Sequence, residues 1–394
     1  MTLWGYLALR DLLATRWSLA LLVIAVAIGV GFQIPNTANL AGSTQTLLEE
    51  GLVWGAGDVR VEPVDRARFA DGDAAARRVV DLTGGRVVPV LQLAGAVGTG
   101  GAFAATPILG IDSPAPIRLV EGSGSGPDRT GTADHLGDTG IVIGSSLARR
   151  FGVEVGDPIE LRVLLGDLER ARDDDLGAFT MTVRGIAGGT SGAYRFAFVD
   201  RRWLATALGE PGAASNLYVH LADHGDAGVV AAALPVADPS LLAIEWRLDD
   251  PQLPNLIAAN RVIGRVSYGM VIAAVSVPLL ALLYLRVLRR RRQFAVLAAL
   301  GLSRAELFAI SLLQSLIVGV LGSLAGAAIG YGAIRYFERS PIFEWEGLSV
   351  RPLASPATFL MPILVVLATT LLAGALAAWR AARTPTARIL QRLE

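Results

Sequence analysis

Four apolar stretches, at residues 17–34, 268–285, 307–334 and 357–379, constrain this chain more than anything else in it. A hydrocarbon core of ~30 Å takes about 20 helical residues, and inside it the backbone must satisfy its own hydrogen bonds. Each stretch therefore predicts a membrane-spanning helix. The mean hydropathy of +0.50 agrees. The first stretch ends at Pro35, and no small-residue cleavage site follows, so it is expected to persist as a span and not as a removed leader. Residues 2–14 mix Leu3, Trp4, Tyr6, Leu7 and Leu12 with Arg10 and Asp11. They read either as an interfacial helix or as the start of that span. Ser355-Pro356 opens the fourth span as N-cap and first helical residue, and Pro278 is expected to kink the second.

The basic residues orient these spans. All 35 are arginine, and Arg286, Arg289, Arg290, Arg291, Arg292 and Arg304 crowd the short connection between spans two and three, opposed only by Glu306. Arg380, Arg383, Arg388 and Arg392 follow span four. By the positive-inside rule, that connection and both termini are cytoplasmic, in what reads as a bacterial inner-membrane protein. Residues 44–258 hold 29 acidic and 18 basic side chains, a net −11, and are expected outside. No basic stripe with interleaved aromatics marks a nucleic-acid surface. The fold class is thus a membrane protein of four transmembrane α-helices, with a large α+β extracytoplasmic domain between helices 1 and 2.

The expected layout is an interfacial helix and first span (1–36), the external domain (37–260), span two (261–288) and a cytoplasmic loop (289–304). Span three (305–335), an external loop (336–356), span four (357–380) and a tail (381–394) follow. Within the external domain, Val59-Arg60-Val61-Glu62 alternates like a strand, 67–82 reads as a helix, and 86–112 as strands with turns. Residues 122–140 and 168–175 read as loops. Strands are expected at 217–221 and 241–246, around a helix at 227–234. The size allows two subdomains.

Several chemistries are not expected. There are no cysteines, and with no lysine there is no Walker A loop, so these residues carry no nucleotide hydrolysis of their own. His220 and His224 have metal-like spacing only on a helix, whereas 217–221 reads as a strand; no metal site is assigned. Ser145, Ser146 and His135 lack a nucleophile elbow, and no catalytic residue is assigned. The spans carry Gln314 and some Ser and Thr but no carboxylate, which argues against an ion-coupled carrier.

The connection RRRRQFAVLAALGLSRAELF carries more information. Residues 293–300 have helical apolar spacing, Gly301 can end that helix in the left-handed conformation, and Ser303 with Glu306 forms a capping-box pattern for the next. A short rigid helix exposing Phe294, Val296 and Leu297 suggests a protein-docking surface; a basic helix lying on anionic lipid is the other reading. In span three, Gly319 is followed by Gly322, Gly326 and Gly330, the last three on one face. Small residues let helices approach closely in lipid, either at a contact that slides, within or between subunits, or in static packing.

This connection resembles the signature loop of the FtsX-like permeases, the MacB/LolC/LolE type of ABC transporter subunit. Arg292, Ala295, Leu297, Ala299 and Gly301 match its pattern; Gln293 stands where Glu is usual and Ala298 where Arg is usual, so salt bridges of relatives are not carried over. GIVIGSSLARRFGVEVGDPIEL (140–161), the Gly-rich third span and the tail PTARILQRLE are similar to the same family. The resemblance implies a permease subunit without its own ATPase. Its coupling helix, here Arg292, Gln293, Phe294, Val296, Leu297, Leu300 and Gly301 with Ser303 and Glu306, seats on a cytoplasmic ABC ATPase present in two copies. ATP and Mg would bind that partner, with no cofactor on this chain. The resemblance further implies a second permease copy or paralogue, contact with membrane lipid, and room for a periplasmic adaptor or substrate-binding protein. The work is export or extraction of a lipid, lipoprotein, peptide or amphipathic substrate. The alternatives are a non-transporting mechanotransmitter that activates an extracellular partner such as a cell-wall hydrolase, and a membrane-anchored sensor. Residues 253–267 are expected to extend span two outward as a lever, with Arg261 and Arg265 snorkelling or paired.

Overall fold

The computed structural model describes residues 16–112, 116–122, 130–132, 136–165, 176–188, 195–289, 303–345 and 348–382. Four helices are long and apolar enough to cross a membrane: α1 (Arg16–Leu48), α7 (Gln252–Arg289), α8 (Arg304–Arg339) and α9 (Pro356–Ala382). The chain divides into two units. Met1–Ser43, Ala259–Ile342 and Arg351–Glu394 form one, and Thr44–Ala258 with Phe343–Val350 forms the other.

In the first unit, α1, α8 and α9 share a core of Leu22, Val26, Val30 and Ile34 with Val318, Ile334, Val366 and Ala373. Helix α1 does not stop at Pro35 as its sequence suggests. Ile34, Pro35 and Ala38 are all buried, and packing holds the helix through the one missing backbone donor. Helix α7 differs over its first part: of an 18-residue window within Gln252–Ala274 only 6% is buried within the chain, against 44% for the window of α1. It is helical from Gln252, so residues 253–267 continue the helix of span two. At α9, the Thr358 N–H donates to Ser355 Oγ at 3.3 Å, which is the expected cap.

The second unit is built on strands β1 (Val59–Pro63), β2 (Arg86–Thr99), β3 (Ala102–Ile111), β4 (Pro116–Gly122), β5 (Thr130–Thr132), β6 (Gly140–Gly144), β7 (Pro158–Leu164), β8 (Leu176–Ala187), β9 (Ala197–Asp200), β10 (Asn216–His220) and β11 (Leu241–Glu245). Among the described residues they form one mixed sheet in the order β11-β1-β10-β2-β3-β9-β6-β8-β4-β5, with β7 bridging β2 and β8. Helices α2 (Gly72–Thr83), α3 (Ser145–Phe151), α4 (Arg201–Ala207), α5 (Ala227–Ala237) and α6 (Trp246–Asp249) complete it. Two principal cores lie along this one sheet. Val59, Val61, Leu217 and Val219 pack with Val79 and Leu234 in one; Leu91, Ile108, Ile141, Leu161 and Val183 form the other. A separate hairpin pairs β12 (Phe343–Trp345) with β13 (Leu348–Val350).

Two local features explain how the sequence makes these elements. The helix expected from residue 67 starts at Gly72. Phe69 is drawn into a bridge with Ala214 and buried, and Asp71 caps the helix by accepting the Ala74 N–H at 2.9 Å. Arg201 is wholly buried and fixes α4: it reaches Asp112 at 2.5 Å, Asp73 at 2.6 Å and the carbonyls of Gly212 and Ala213 at 3.0 and 3.2 Å. Burial raises the Asp112 carboxyl above its ordinary value even though Arg201 opposes the shift.

Candidate docking segment and helix seam

The segment that joins α7 to α8 holds most of the residues assigned to docking. Arg292, Gln293, Phe294, Val296, Leu297, Leu300 and Gly301 lie outside the described residues. The described end of the segment is the start of α8. There the Glu306 N–H donates to Ser303 Oγ at 3.3 Å, and the Ser303 N–H donates to Glu306 Oε2 at 2.7 Å. This reciprocal pair satisfies two of the donors that a helix start leaves free, and fixes where the connection ends and the helix begins.

The glycines of α8 form a seam. A methyl group placed on Gly322 would lie 2.5 Å from Val26 Cβ, one on Gly326 2.6 Å from Val30 Cβ, and one on Gly330 2.8 Å from Ile34 Cβ. Ordinary carbon contacts are about 3.5–4.0 Å, so the two helices touch backbone to side-chain root over two turns. The partner register advances by four residues with the glycines, so α1 and α8 run parallel. Gly31 of α1 completes the seam: its methyl position lies 3.0 Å from Ile329 Cγ2. This face therefore packs within the chain. Gly319 turns to α9 instead, with a methyl position 2.9 Å from Leu367 Cδ2.

Sequence reasoning missed three contributors. Gly374 of α9 faces Ser315 so closely that any Cβ would overlap its Oγ; a small residue within an Ala-rich run was the available signal. Gln33 is buried in α1, with its Nε2 3.3 Å from Thr37 Oγ1 and its Oε1 without a hydrogen bond among the described residues. Finally, α1 and α7 meet through polar groups: Asn36 Nδ2 donates to Ser267 Oγ at 3.1 Å and Asn260 Nδ2 to the Leu40 carbonyl at 3.2 Å. The polar run after the first span carried that signal. Gln314 is buried in α8, while Arg261 and Arg265 on α7 are exposed.

The two histidines separate as their secondary structure dictates. His220 ends β10, where burial, and then Arg86, lowers its pKa below 6.5. His224 sits in a 3₁₀ turn with Nδ1 2.7 Å from the buried Asp58, which also accepts the Leu221 N–H. Among the described residues no group of three His, Asp or Glu side chains is placed to hold a metal ion.

Comparisons with known proteins agree with this architecture. Residues 18–236 match the MacB-like periplasmic core domain, and residues 265–386 match the FtsX-like permease C-terminal region. The chain is 25% identical over 232 residues to the lipoprotein-releasing system transmembrane protein LolC of Haemophilus influenzae, covering 57% of this chain and 56% of that one. It thus spans about half the length of this curated relative. Two solved structures are similar in part. One is the extracellular domain of the noncanonic ABC-type transporter YknZ from Gram-positive bacteria (13% identity, TM-score 0.33, 48% of this chain and 99% of that one). The other is the periplasmic region of MacB from Actinobacillus actinomycetemcomitans (10% identity, TM-score 0.35, 53% and 98%).

Proposed function

The chain belongs to the family of ABC-type permeases that join a MacB-like periplasmic core domain to an FtsX-like membrane region, and on that premise we propose that it is a non-catalytic permease subunit driven by a separate ATPase. The observation that carries the proposal is the connection between α7 and α8. It is a run of arginines and apolar residues that ends in the Ser303–Glu306 capping box, which fixes the start of α8 where the run meets it. On this reading Leu297, Phe294 and Val296 supply the apolar anchors of the docking surface, with Arg292, Gln293, Leu300 and Gly301 beside them in sequence. Two ATPase copies carrying ATP and Mg would close against two permease subunits. The arginine distribution supports placing this connection and both termini in the cytoplasm.

The long helices support mechanical transmission as the mode of action. Helix α1 has 33 residues and α7 has 38, well beyond the ~20 that a bilayer needs, and each begins in one unit of the chain and ends in the other. A pull on the connection between α7 and α8 has a helical route to the periplasmic domain. The bare apolar face of α7 supports a second permease copy or paralogue beside it. The likeness to LolC favours a lipid-linked or amphipathic substrate drawn from the outer leaflet or periplasm. The test is a mild-detergent pull-down of the tagged chain with identification of co-purifying proteins and an ATP hydrolysis assay. A stoichiometric ATPase is expected, lost on Leu297→Arg; an ATPase retained equally by Leu297→Arg and Gly301→Pro overturns the docking assignment.

A further inference from the structure

Helix α7 carries an apolar seam that its own chain leaves open. Ala259, Ile263, Val266, Met270, Ala273 and Val277 are all exposed, and they follow one another in steps of four, three, four, three and four. Ile263 is 61% exposed and Met270 69%. Leu256 and Leu280 keep the alternation going at either end. This 3.5-residue repeat is the a/d pattern of a two-helix coiled coil, with Ile263, Met270 and Val277 at a, and Ala259, Val266 and Ala273 at d. Lipid covers the lower half of such a seam. It does not cover the upper half: the apolar stretch of span two starts at residue 268, and the helix before it carries Asn260, Arg261, Arg265 and Ser267. An apolar face held in water calls for a protein partner.

The rest of the helix surface fits that geometry. Asn260, Gly264 and Ser267, at positions e, b and e, are taken by α1. Asn260 donates to the Leu40 carbonyl, Ser267 accepts from Asn36, and the methyl position of Gly264 lies 3.2 Å from Leu40 Cδ1. Between residues 253 and 285 the only charges are Arg261 and Arg265, at f and c, away from the seam. A second copy enters the membrane in the same orientation, so its α7 runs parallel, and a twofold axis along the membrane normal brings equal residues to equal depth. Self-pairing then meets a with a and d with d, and sets no arginine against its own copy. Ile263 and Val277 are the β-branched side chains that favour two strands when placed at a, and Ala259 and Ala273 let the backbones approach. We propose that α7 pairs with α7 of a second copy of this chain as a parallel, in-register coiled coil that continues above the membrane. This gives the second permease copy its contact surface and rests on that part of the functional reading; it does not depend on the ATPase.

The chain has no cysteine, so single cysteines report the seam directly. The full chain is co-expressed with two different tags, membranes are oxidised, one tag is captured, and the other is probed without reductant. Ala259→Cys, Ile263→Cys and Val266→Cys should give disulfide-linked dimers, because equal a or d positions of such a pair come within the ~4.4–6.8 Å Cα separation that a disulfide spans. Arg261→Cys and Arg265→Cys, on the outer side of the pair, should give at most about a tenth as much. A second measurement needs no oxidation. Copies carrying Ile263→Glu and Ile263→Arg should co-purify with each other at least about tenfold better than either does with itself, since like charges then meet at one level. Equal cross-linking at Arg261, Ile263 and Arg265, or no advantage for the mixed charge pair, overturns the proposal. Copies that co-purify without a cross-link at Ala259, Ile263 or Val266 pair through another surface: the second-copy reading then stands and the α7 seam falls. Copies that do not co-purify at all remove both, and leave the docking of the ATPase to its own test.

Discussion

The glycine seam between α1 and α8 makes a prediction whose sign depends on position alone. Gly322→Ala adds a methyl group 2.5 Å from both Cβ and Cγ1 of Val26 and 3.1 Å from the Val23 carbonyl. None of these is the free end of a flexible side chain, so relief requires the helix axes to separate by about 1 Å, given contacts of ~3.5–4.0 Å. Overpacking of this kind costs about 1–3 kcal/mol. Gly332 lies on the same helix, with nothing within 4 Å of its methyl position. There the same substitution brings only the helix-propensity gain, about 1 kcal/mol or less. Denaturant titration of the purified chain in mixed micelles should therefore show Gly322→Ala destabilised and Gly332→Ala neutral or stabilised. Val26→Gly removes both of the shortest contacts, so a double-mutant cycle of Gly322→Ala with Val26→Gly should return a favourable coupling of about 1–2 kcal/mol. A coupling near zero, or equal losses at the two glycines, would refute the seam.

Other parts of the structure give sharper single tests. Ser303→Ala removes the side-chain half of the capping box and should lower stability by about 1 kcal/mol in the same titration, with Ser303→Asp largely restoring it. Arg201→Leu leaves Asp112 and Asp73 without their cation; a loss of about 3–5 kcal/mol is expected, and adding Asp112→Asn should recover part of it. His220 binds a proton less readily folded than unfolded, because it is buried beside Arg86. Its stabilising contribution is therefore complete above pH 6.5 and lost as pH falls from there through its lowered folded value, at up to about 1.4 kcal/mol per unit. Thermal midpoints followed from neutral pH downward should fall less steeply for His220→Gln than for the wild type; parallel curves would remove His220 from the account.

What the sequence made legible follows the range of the interactions involved. The capping box spans three residues, so Ser303 and Glu306 could be paired from the letters alone, and the structure pairs them. The apolar spans were legible because lipid imposes one solution on a long apolar run, yet the end of the first was not: Pro35 signals a stop, and only burial among residues distant in sequence overrides it. The start of α2 moved for the same reason, since the bridge from Phe69 to Ala214 crosses more than a hundred positions. The α8 glycines could be placed on one face, but their partner could not be named, because Val26, Val30 and Ile34 look like any other apolar positions of α1. Arg201 and Arg202 are adjacent and identical in type, yet only the first is buried, with two carboxylates. Features that hold the chain together locally were written in neighbouring letters, whereas the bridge of Phe69 and the ion pairs of Arg201 are set by residues that only the fold brings together.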